Sequence, residues 1–190
     1  MDGMSASTDA KKTDEQLLAE FLSGRQAAVG ELARRYERPL LGLALGLLGR
    51  RPDLACDAVQ ETWVRVIRFG KQFMGNSSFK TWLYRIGLNQ CRSLLHARGG
   101  GNADGPLDVL PAHGDGPEQA AQTTDRDGVL RDAVGQLDSD KRAVVLLCYH
   151  NGLTHEQAAE ILEVPLGTLK SRLHAALTEL RAALGAEASS

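Results

Sequence analysis

The stretch Thr154 to Leu173 reads THEQAAEILEVPLGTLKSRL. Its punctuation is that of two short helices meeting at a tight turn. Thr154 followed three residues later by Gln157 is a capping box, in which each side chain satisfies a backbone N–H that the first turn leaves free. Ala158, Ala159, Ile161 and Leu162 give the first helix a small apolar face, and Val164-Pro165 breaks it. Leu169, Leu173, Leu177, Leu180 and Leu184 then recur at helical spacing in a second helix. The outer face of that second helix carries Gly167, Ser171, Ala175 and Thr178, with Lys170 and His174 on one flank and Arg172 on the other. Small, hydroxyl-bearing and basic groups suit a major groove, where phosphates and base edges both take donors. The segment predicts a DNA-reading helix-turn-helix, with a plain helical hairpin as the alternative on this stretch alone.

Working outward, 190 residues with 43% hydrophobic and 24% charged side chains hold one or two small domains with an ordinary packed core. The most apolar run, Leu40 to Leu48, falls well short of the roughly 20 residues of a membrane helix and contains Gly42 and Gly46. The first residues, MDGMSASTDAKKTDEQ, lack the apolar centre of a signal peptide. A cytoplasmic protein that is not inserted in a membrane is expected. Cys56, Cys91 and Cys148 are too far apart in sequence for a metal knuckle or a disulfide framework, and read as three buried structural thiols. No metal and no cofactor are expected.

The net charge of −2 conceals a strong segregation. From Thr62 to Arg98 the chain holds Arg65, Arg68, Lys71, Lys80, Arg85, Arg92 and Arg98 and no carboxylate. From Gly99 to Gly128 it holds Asp104, Asp108, Asp115, Glu118, Asp125 and Asp127 against Arg126. Clustered cations release counterions from nucleic acid and an acidic run does not, so only the first block suits phosphates. The small overall charge predicts weak DNA binding by the isolated chain and a partner that supplies much of the grip.

Apolar residues recur at three and four rather than two, so the chain reads as all-α. Thr13 and Gln16 form a capping box ahead of Leu17, Leu18, Phe21 and Leu22, and Gly24 closes that helix. Val29, Leu32, Tyr36, Leu40 and Leu43 mark a longer second helix with Pro39 as a kink point. Arg51-Pro52-Asp53 is a turn, and helices follow at about Leu54 to Phe69 and Ser78 to Ala97. After a Gly-, Pro- and Asp-rich stretch come helices near Arg126 to Leu137 and Ser139 to Asn151, the latter capped by Asp138 and stopped at Gly152. The expected organisation is two small helical domains, 14–98 and 126–184, joined by a flexible linker, 99–125, with disordered ends at 1–13 and 185–190. Two modules on a loose tether can span two sites on one extended ligand.

On the third helix Cys56, Val59, Trp63, Val66 and Ile67 fall on the expected core side, while Asp57, Gln60, Glu61, Val64 and Arg68 form an outer strip. Such a strip fits either docking of a partner helix or a solvated face. On the fourth helix Phe79, Trp82, Leu83, Ile86 and Leu94 point inward, and Arg85, Asn89, Arg92 and His96 align at helical spacing as a donor-rich stripe. The loop before it, Gly70 to Ser78, carries Lys71, Phe73 and Asn76, a basic and aromatic combination suited to single-stranded DNA. Individually, Phe73, Phe79 and Trp82 fit a core better than a stacking platform.

Three ordered motifs, DAVQETWVRV (Asp57 to Val66), FKTWLYRIGLN (Phe79 to Asn89) and LTHEQAAEILEVPLGTLKSRL (Leu153 to Leu173), resemble the group 4, or extracytoplasmic-function, sigma factors of bacterial RNA polymerase. The resemblance covers about Asp14 to Leu184, in the family's order and spacing. It implies that the first half is a region 2 domain whose third helix docks on the β′ clamp helices of core polymerase through Asp57, Gln60, Glu61, Val64 and Arg68. It implies that Lys71, Phe73, Asn76, Lys80, Arg85, Asn89, Arg92 and His96 contact the −10 element, with a non-template base flipped out of its stack. The second half is then a region 4 domain that touches the β-subunit flap and reads the −35 element with Thr154, Gly167, Thr168, Lys170, Ser171, Arg172 and His174. An anti-sigma partner, often membrane-bound, is implied as well, and a small-molecule substrate is not.

Two positions depart from the family pattern. Glu163 stands where the turn often has Gly, which strains the backbone there. Ala175 stands where an Arg is common, removing one possible contact. The acidic linker would be repelled by DNA and could mimic nucleic acid in a basic channel. Altogether the sequence reads as a promoter-specificity subunit without chemistry of its own. The alternatives are a stand-alone helix-turn-helix regulator binding as a symmetric dimer, and an interaction protein that sequesters a partner without reading DNA.

Overall fold

The computed structural model describes residues 12–49, 51–97 and 120–187. They form eight α-helices: α1 (Asp14–Leu22), α2 (Ala27–Leu48), α3 (Pro52–Phe69), α4 (Phe79–Ala97), α5 (Ala120–Gln136), α6 (Ser139–Val145), α7 (His155–Leu162) and α8 (Leu166–Glu187). A 3-10 turn, Gly70–Gln72, extends α3, and a π turn, Leu146–His150, extends α6. No strand occurs among the described residues. Arg98 and residues 99–119 of the expected linker lie outside the described residues, as do 1–11 and 188–190.

Local chemistry sets the helix ends. In both Thr13–Gln16 and Thr154–Gln157 the threonine hydroxyl accepts the N–H three residues on and the glutamine returns the bond, as the sequence predicts. The Asp138 carboxylate accepts the N–H groups of Asp140 and Lys141 and starts α6. Pro52, expected in a turn, is instead the first residue of α3, where its missing N–H costs nothing. Several bounds differ from the expectation. Lys12 and Thr13 belong to the cap of α1 rather than to a disordered end, α5 begins at Ala120 instead of Arg126, and α8 continues to Glu187.

The helix-turn-helix turn closes on Glu163, which has φ 56° and ψ 43°, while its N–H reaches back to the carbonyls of Ala159 and Glu160. It is the one described non-glycine residue with positive φ. Glu163→Gly is expected to stabilise the C-terminal domain by about 0.5–1 kcal/mol, the left-handed penalty of about 1–2 kcal/mol less glycine's own entropic cost. Urea unfolding measures this, and a loss of stability would refute the strain.

α1, α2, α3 and α4 pack into one bundle. Gly87 lets α4 approach closely, since a Cβ there would stand 3.2 Å from Leu40 Cδ2 and 3.7 Å from Thr62 Oγ1. Arg35 of α2 pairs with Asp14 of α1 at 2.7 Å, and Glu15 Oε1 accepts the Phe79 N–H at 2.9 Å, tying α1 to the start of α4. α5 to α8 form a second bundle, in which Leu147, Ala158, Leu169 and Ala176 are fully enclosed.

The two bundles also touch one another. α7 packs along α4, and the end of α2 packs on α6 and the π turn. This explains the apolar run after Pro39: residues 42–48 are buried on every side, because the C-terminal domain covers the face that the N-terminal domain leaves open. A helix apolar all round is buried all round. No helix among the described residues is long and apolar enough to cross a membrane.

Candidate nucleic-acid interface

α3 presents its strip through a phase slightly different from the one expected. Its core side is made of Leu54, Ala55, Ala58, Val59, Thr62 and Val66. Cys56 is exposed and Ile67 is 51% exposed, so these two are not the core residues their spacing suggested, while Trp63 is half-buried and packs against the core as expected. Small residues occupy the seam instead, where α2 and α4 come close. The thiols follow the same correction: only Cys91 is buried, Cys148 is half-buried and Cys56 is open. Asp57, Gln60, Glu61 and Arg68 are exposed and Val64 is half-buried. With Ile67 added, the strip combines carboxylates, an amide and aliphatic surface, the composition a partner helix needs. The Glu61–Arg65 pair at 3.1 Å is solvent-exposed and holds the carboxylate only weakly.

The loop before α4 is pinned by aromatic packing. The Phe73 ring lies 5.4 Å from Trp82 and 6.3 Å from Phe79, and Tyr36 meets Phe79 edge-on at 5.9 Å. Phe73 is therefore a half-buried anchor rather than an open stacking platform. Lys71 and Asn76 are exposed beside it, and so is Met74, at 81%, which the sequence reading did not single out. Ser78 Oγ accepts the Thr81 N–H at 3.1 Å and orients the first turn of α4.

Along α4, the stripe divides. Asn89 and His96 are exposed and Arg92 is half-buried, in accord with an outward donor row. Lys80 and Arg85 are engaged by the C-terminal domain. Lys80 Nζ donates to the Asn151 carbonyl at 3.0 Å and lies 5.9 Å from the Tyr84 ring centroid, and burial lowers its pKa. Arg85 Nη2 is 3.5 Å from Glu160 Oε1 on α7. Trp82, Ile86 and Leu94, expected inward, are half-buried and pack against the core, while Tyr84, Leu88 and Cys91 are buried in it.

In the helix-turn-helix, Gly167, Thr168, Lys170, Ser171 and His174 are exposed on α8, above a buried side of Leu169, Leu173, Ala176 and Leu180. Arg172 departs from the expected reading set, because it is half-buried and pairs with Asp140 of α6 at 2.8 Å. Ala175 is half-buried, and Thr178 is exposed on the outer face with its Oγ1 donating to the His174 carbonyl at 2.9 Å. The Thr154 hydroxyl is used in its cap.

The sequence reading missed Asn151, which is 8% exposed. Its Nδ2 donates to Pro39 O at 3.1 Å and to Tyr84 Oη at 3.0 Å, bridging residues 112 and 67 positions away. Burial pushes the Tyr84 phenol up to about 12, so it enters this bond neutral. Next to it, His150 faces Gly42, where a Cβ would stand 2.3 Å from His150 Nε2. Burial holds that imidazole below its ordinary pKa and favours the neutral ring. The available signal was the all-round apolar stretch after Pro39, which required a second covering surface.

Comparison with known proteins accounts for both bundles. Residues 32–100 match the family described as sigma-70 region 2, and residues 127–180 match sigma-70 region 4. The RNA polymerase sigma-H factor of Pseudomonas aeruginosa is 29% identical over 184 residues, spanning 92% of this chain and 95% of that protein. The sigma-E factor of Haemophilus influenzae is 29% identical over 171 residues, spanning 85% of this chain and 89% of that one. Among solved structures, CnrH in complex with the cytosolic domain of CnrY superposes with a TM-score of 0.67 at 25% identity, covering 92% of this chain and 99% of that one. A sigma factor RpoE from Bartonella quintana shares the fold, with a TM-score of 0.62 at 24% identity over 82% of this chain and 97% of that one. Two helical domains in this order, with the outward strip of α3, the donor row of α4 and the helix-turn-helix, belong to an extracytoplasmic-function sigma factor of the sigma-70 family.

Proposed function

We propose that this sigma factor divides its work among three surfaces. The α3 strip of Asp57, Gln60, Glu61, Val64 and Arg68 docks on the β′ clamp helices of core polymerase. Asn89, Arg92 and His96 of α4, with Lys71 and Asn76 of the loop, contact the −10 element, and Lys80 and Arg85 join them once freed from the C-terminal domain. Gly167, Thr168, Lys170, Ser171 and His174 of α8 read the −35 element, Arg172 acting through its pair with Asp140 to orient the helix. The observation that carries this reading is the outward placement of all three polar surfaces on helices whose opposite sides form the cores. The protein works by binding energy alone, in the compartment that holds polymerase and chromosome, the cytoplasm. Regulation by an anti-sigma protein belongs to the same reading, supported by the similarity to CnrH, which is bound by the cytosolic domain of CnrY.

Run-off transcription with purified core polymerase on a promoter library tests the assignment. Lys170→Ala combined with His174→Ala is expected to lower open-complex formation at the preferred promoter about ten- to hundredfold, the scale of one or two lost groove contacts at about 1–3 kcal/mol each. The Lys170 part should weaken all promoters alike and reduce the salt dependence of binding by about one counterion. Unchanged promoter strength in the double variant would remove α8 as the reading helix.

A further inference from the structure

We propose that Asp140 is a positioning residue that limits the grip of α8 on DNA: it holds the Arg172 guanidinium and cancels its charge at the edge of the reading face, so that one phosphate contact is withheld. The proposal rests on the reading of α8 as the −35 helix given above, and deepens it by assigning the strength of that contact to a residue of α6.

α8 has two unlike flanks. On one, Lys170 and His174 are exposed beside the outward Gly167 and Ser171. The other turns toward α6, and its charges are answered from within the chain. Arg172 Nη2 lies 2.8 Å from Asp140 Oδ2, and two turns further along Glu179 is paired with Lys141, which also meets Asp138 at 2.9 Å. At about 100° per residue, Arg172 and Glu179 stand one above the other, roughly 20° apart around the helix. α6 meets them with the opposite order of signs, a carboxylate at Asp140 and an ammonium at Lys141.

The Arg172–Asp140 pair is open to water, its side chains keeping 31% and 48% of their surface. Such a pair adds little to stability. Its effect falls on the approach of DNA instead. A guanidinium alone at the edge of a reading helix is a backbone contact, and each phosphate it neutralises releases a counterion. With an exposed carboxylate beside it the pair carries no net charge, and Asp140 repels the phosphate that reaches for Arg172. The packing of α6 on α8 does not depend on this carboxylate. Asp138 makes the cap, to which Asp140 gives only its backbone N–H, and Ala143, Val144 and Leu147 are buried with Leu169 and Ala176. Asp140 is thereby able to set affinity without setting the fold.

Asp140→Asn keeps an amide oxygen for Arg172 and removes the charge, whereas Asp140→Glu keeps both. The readout is binding of the full chain to a fluorescein-labelled, mixed-sequence duplex of about 30 base pairs, followed by anisotropy across a salt series, because a backbone contact acts on all sequences alike. Asp140→Asn is expected to tighten binding about three- to fivefold at low salt and to steepen the salt dependence by about one counterion, so that most of the gain is gone when the salt is raised about fourfold. Asp140→Glu should bind as the parent chain does. Adding Arg172→Ala to Asp140→Asn restores the balance of charge and should return both affinity and salt dependence to the parent values. A thermal melt of each variant should match that of the parent. Unchanged or weaker binding by Asp140→Asn, with the parent's salt dependence, would overturn the proposal, and so would a gain that survives Arg172→Ala. Lys170→Ala separates this failure from failure of the −35 reading. If Lys170→Ala flattens the salt dependence while Asp140→Asn leaves it alone, α8 still meets DNA and only the role of Asp140 falls; if neither substitution moves it, the reading of α8 falls too.

Discussion

Asp57→Arg together with Glu61→Arg is expected to weaken binding to core RNA polymerase by more than about a hundredfold while leaving the fold intact. Both carboxylates project from the exposed side of α3, opposite the seam of Ala55, Ala58, Thr62 and Val66 that packs on α2 and α4. Neither is needed for the bundle, because the Glu61–Arg65 pair is exposed and contributes at most about 1 kcal/mol. At an interface the balance is different. Losing one partner of a desolvated charge pair costs about 2–5 kcal/mol, and reversing its sign adds repulsion against whatever cation it faced. Fluorescence anisotropy with labelled chain and purified core polymerase gives the affinity, and a thermal melt checks that the N-terminal domain still unfolds as before. Near-native affinity in the folded double variant would remove α3 as the docking element. A variant at Ile67, such as Ile67→Glu, should act in the same direction, since this side chain lies open on the helix although its spacing alone suggested a core position.

The second large effect concerns stability. Phe79→Ala is expected to cost about 3–5 kcal/mol, the range for deleting a fully enclosed aromatic ring. Phe79 is 0% exposed and lies at the centre of a ring cluster in which Tyr36 and Phe73 meet it edge-on at 5.9 and 6.3 Å and Trp82 stands at 6.0 Å. Its backbone N–H is held by Glu15, so the ring also fixes where α4 begins relative to α1. Against a typical total of about 5–15 kcal/mol for a domain, the loss is a large fraction. Urea unfolding followed by tryptophan fluorescence reads it directly, since Trp82 is in the cluster and Trp63 is on the neighbouring helix. A cost below about 1 kcal/mol would mean that the cavity collapses and that the cluster does not organise the loop. The loop should respond as well: with Phe79 gone, Phe73 retains only Trp82 as a ring neighbour, and the segment bearing Lys71, Met74 and Asn76 should become more susceptible to proteolysis.

Much of this protein was legible in its residues because the interactions that decide it act over three or four positions. The capping boxes Thr13–Gln16 and Thr154–Gln157, the Asp138 cap, the break at Val164-Pro165 and the strained turn at Glu163 are all closed by nearby backbone groups, and all stand where the sequence placed them. The polar faces of α3, α4 and α8 followed from helical period, and three motifs in a fixed order identified the family. Tertiary structure decided what period alone leaves ambiguous. Which side of α3 faces inward was set by packing, which places Ala55, Ala58 and Thr62 on the buried side and leaves Cys56 and Ile67 exposed. The closure of the two domains was decided by contacts between residues 67 and 112 positions apart, Asn151 with Tyr84 and with Pro39, and by the vacancy that Gly42 leaves for His150. No local pattern specifies a partner at that range. A long apolar run can announce that something must cover it, but only the packed chain determines that the C-terminal domain does so, because burial is a property of the surfaces that meet and not of either segment alone.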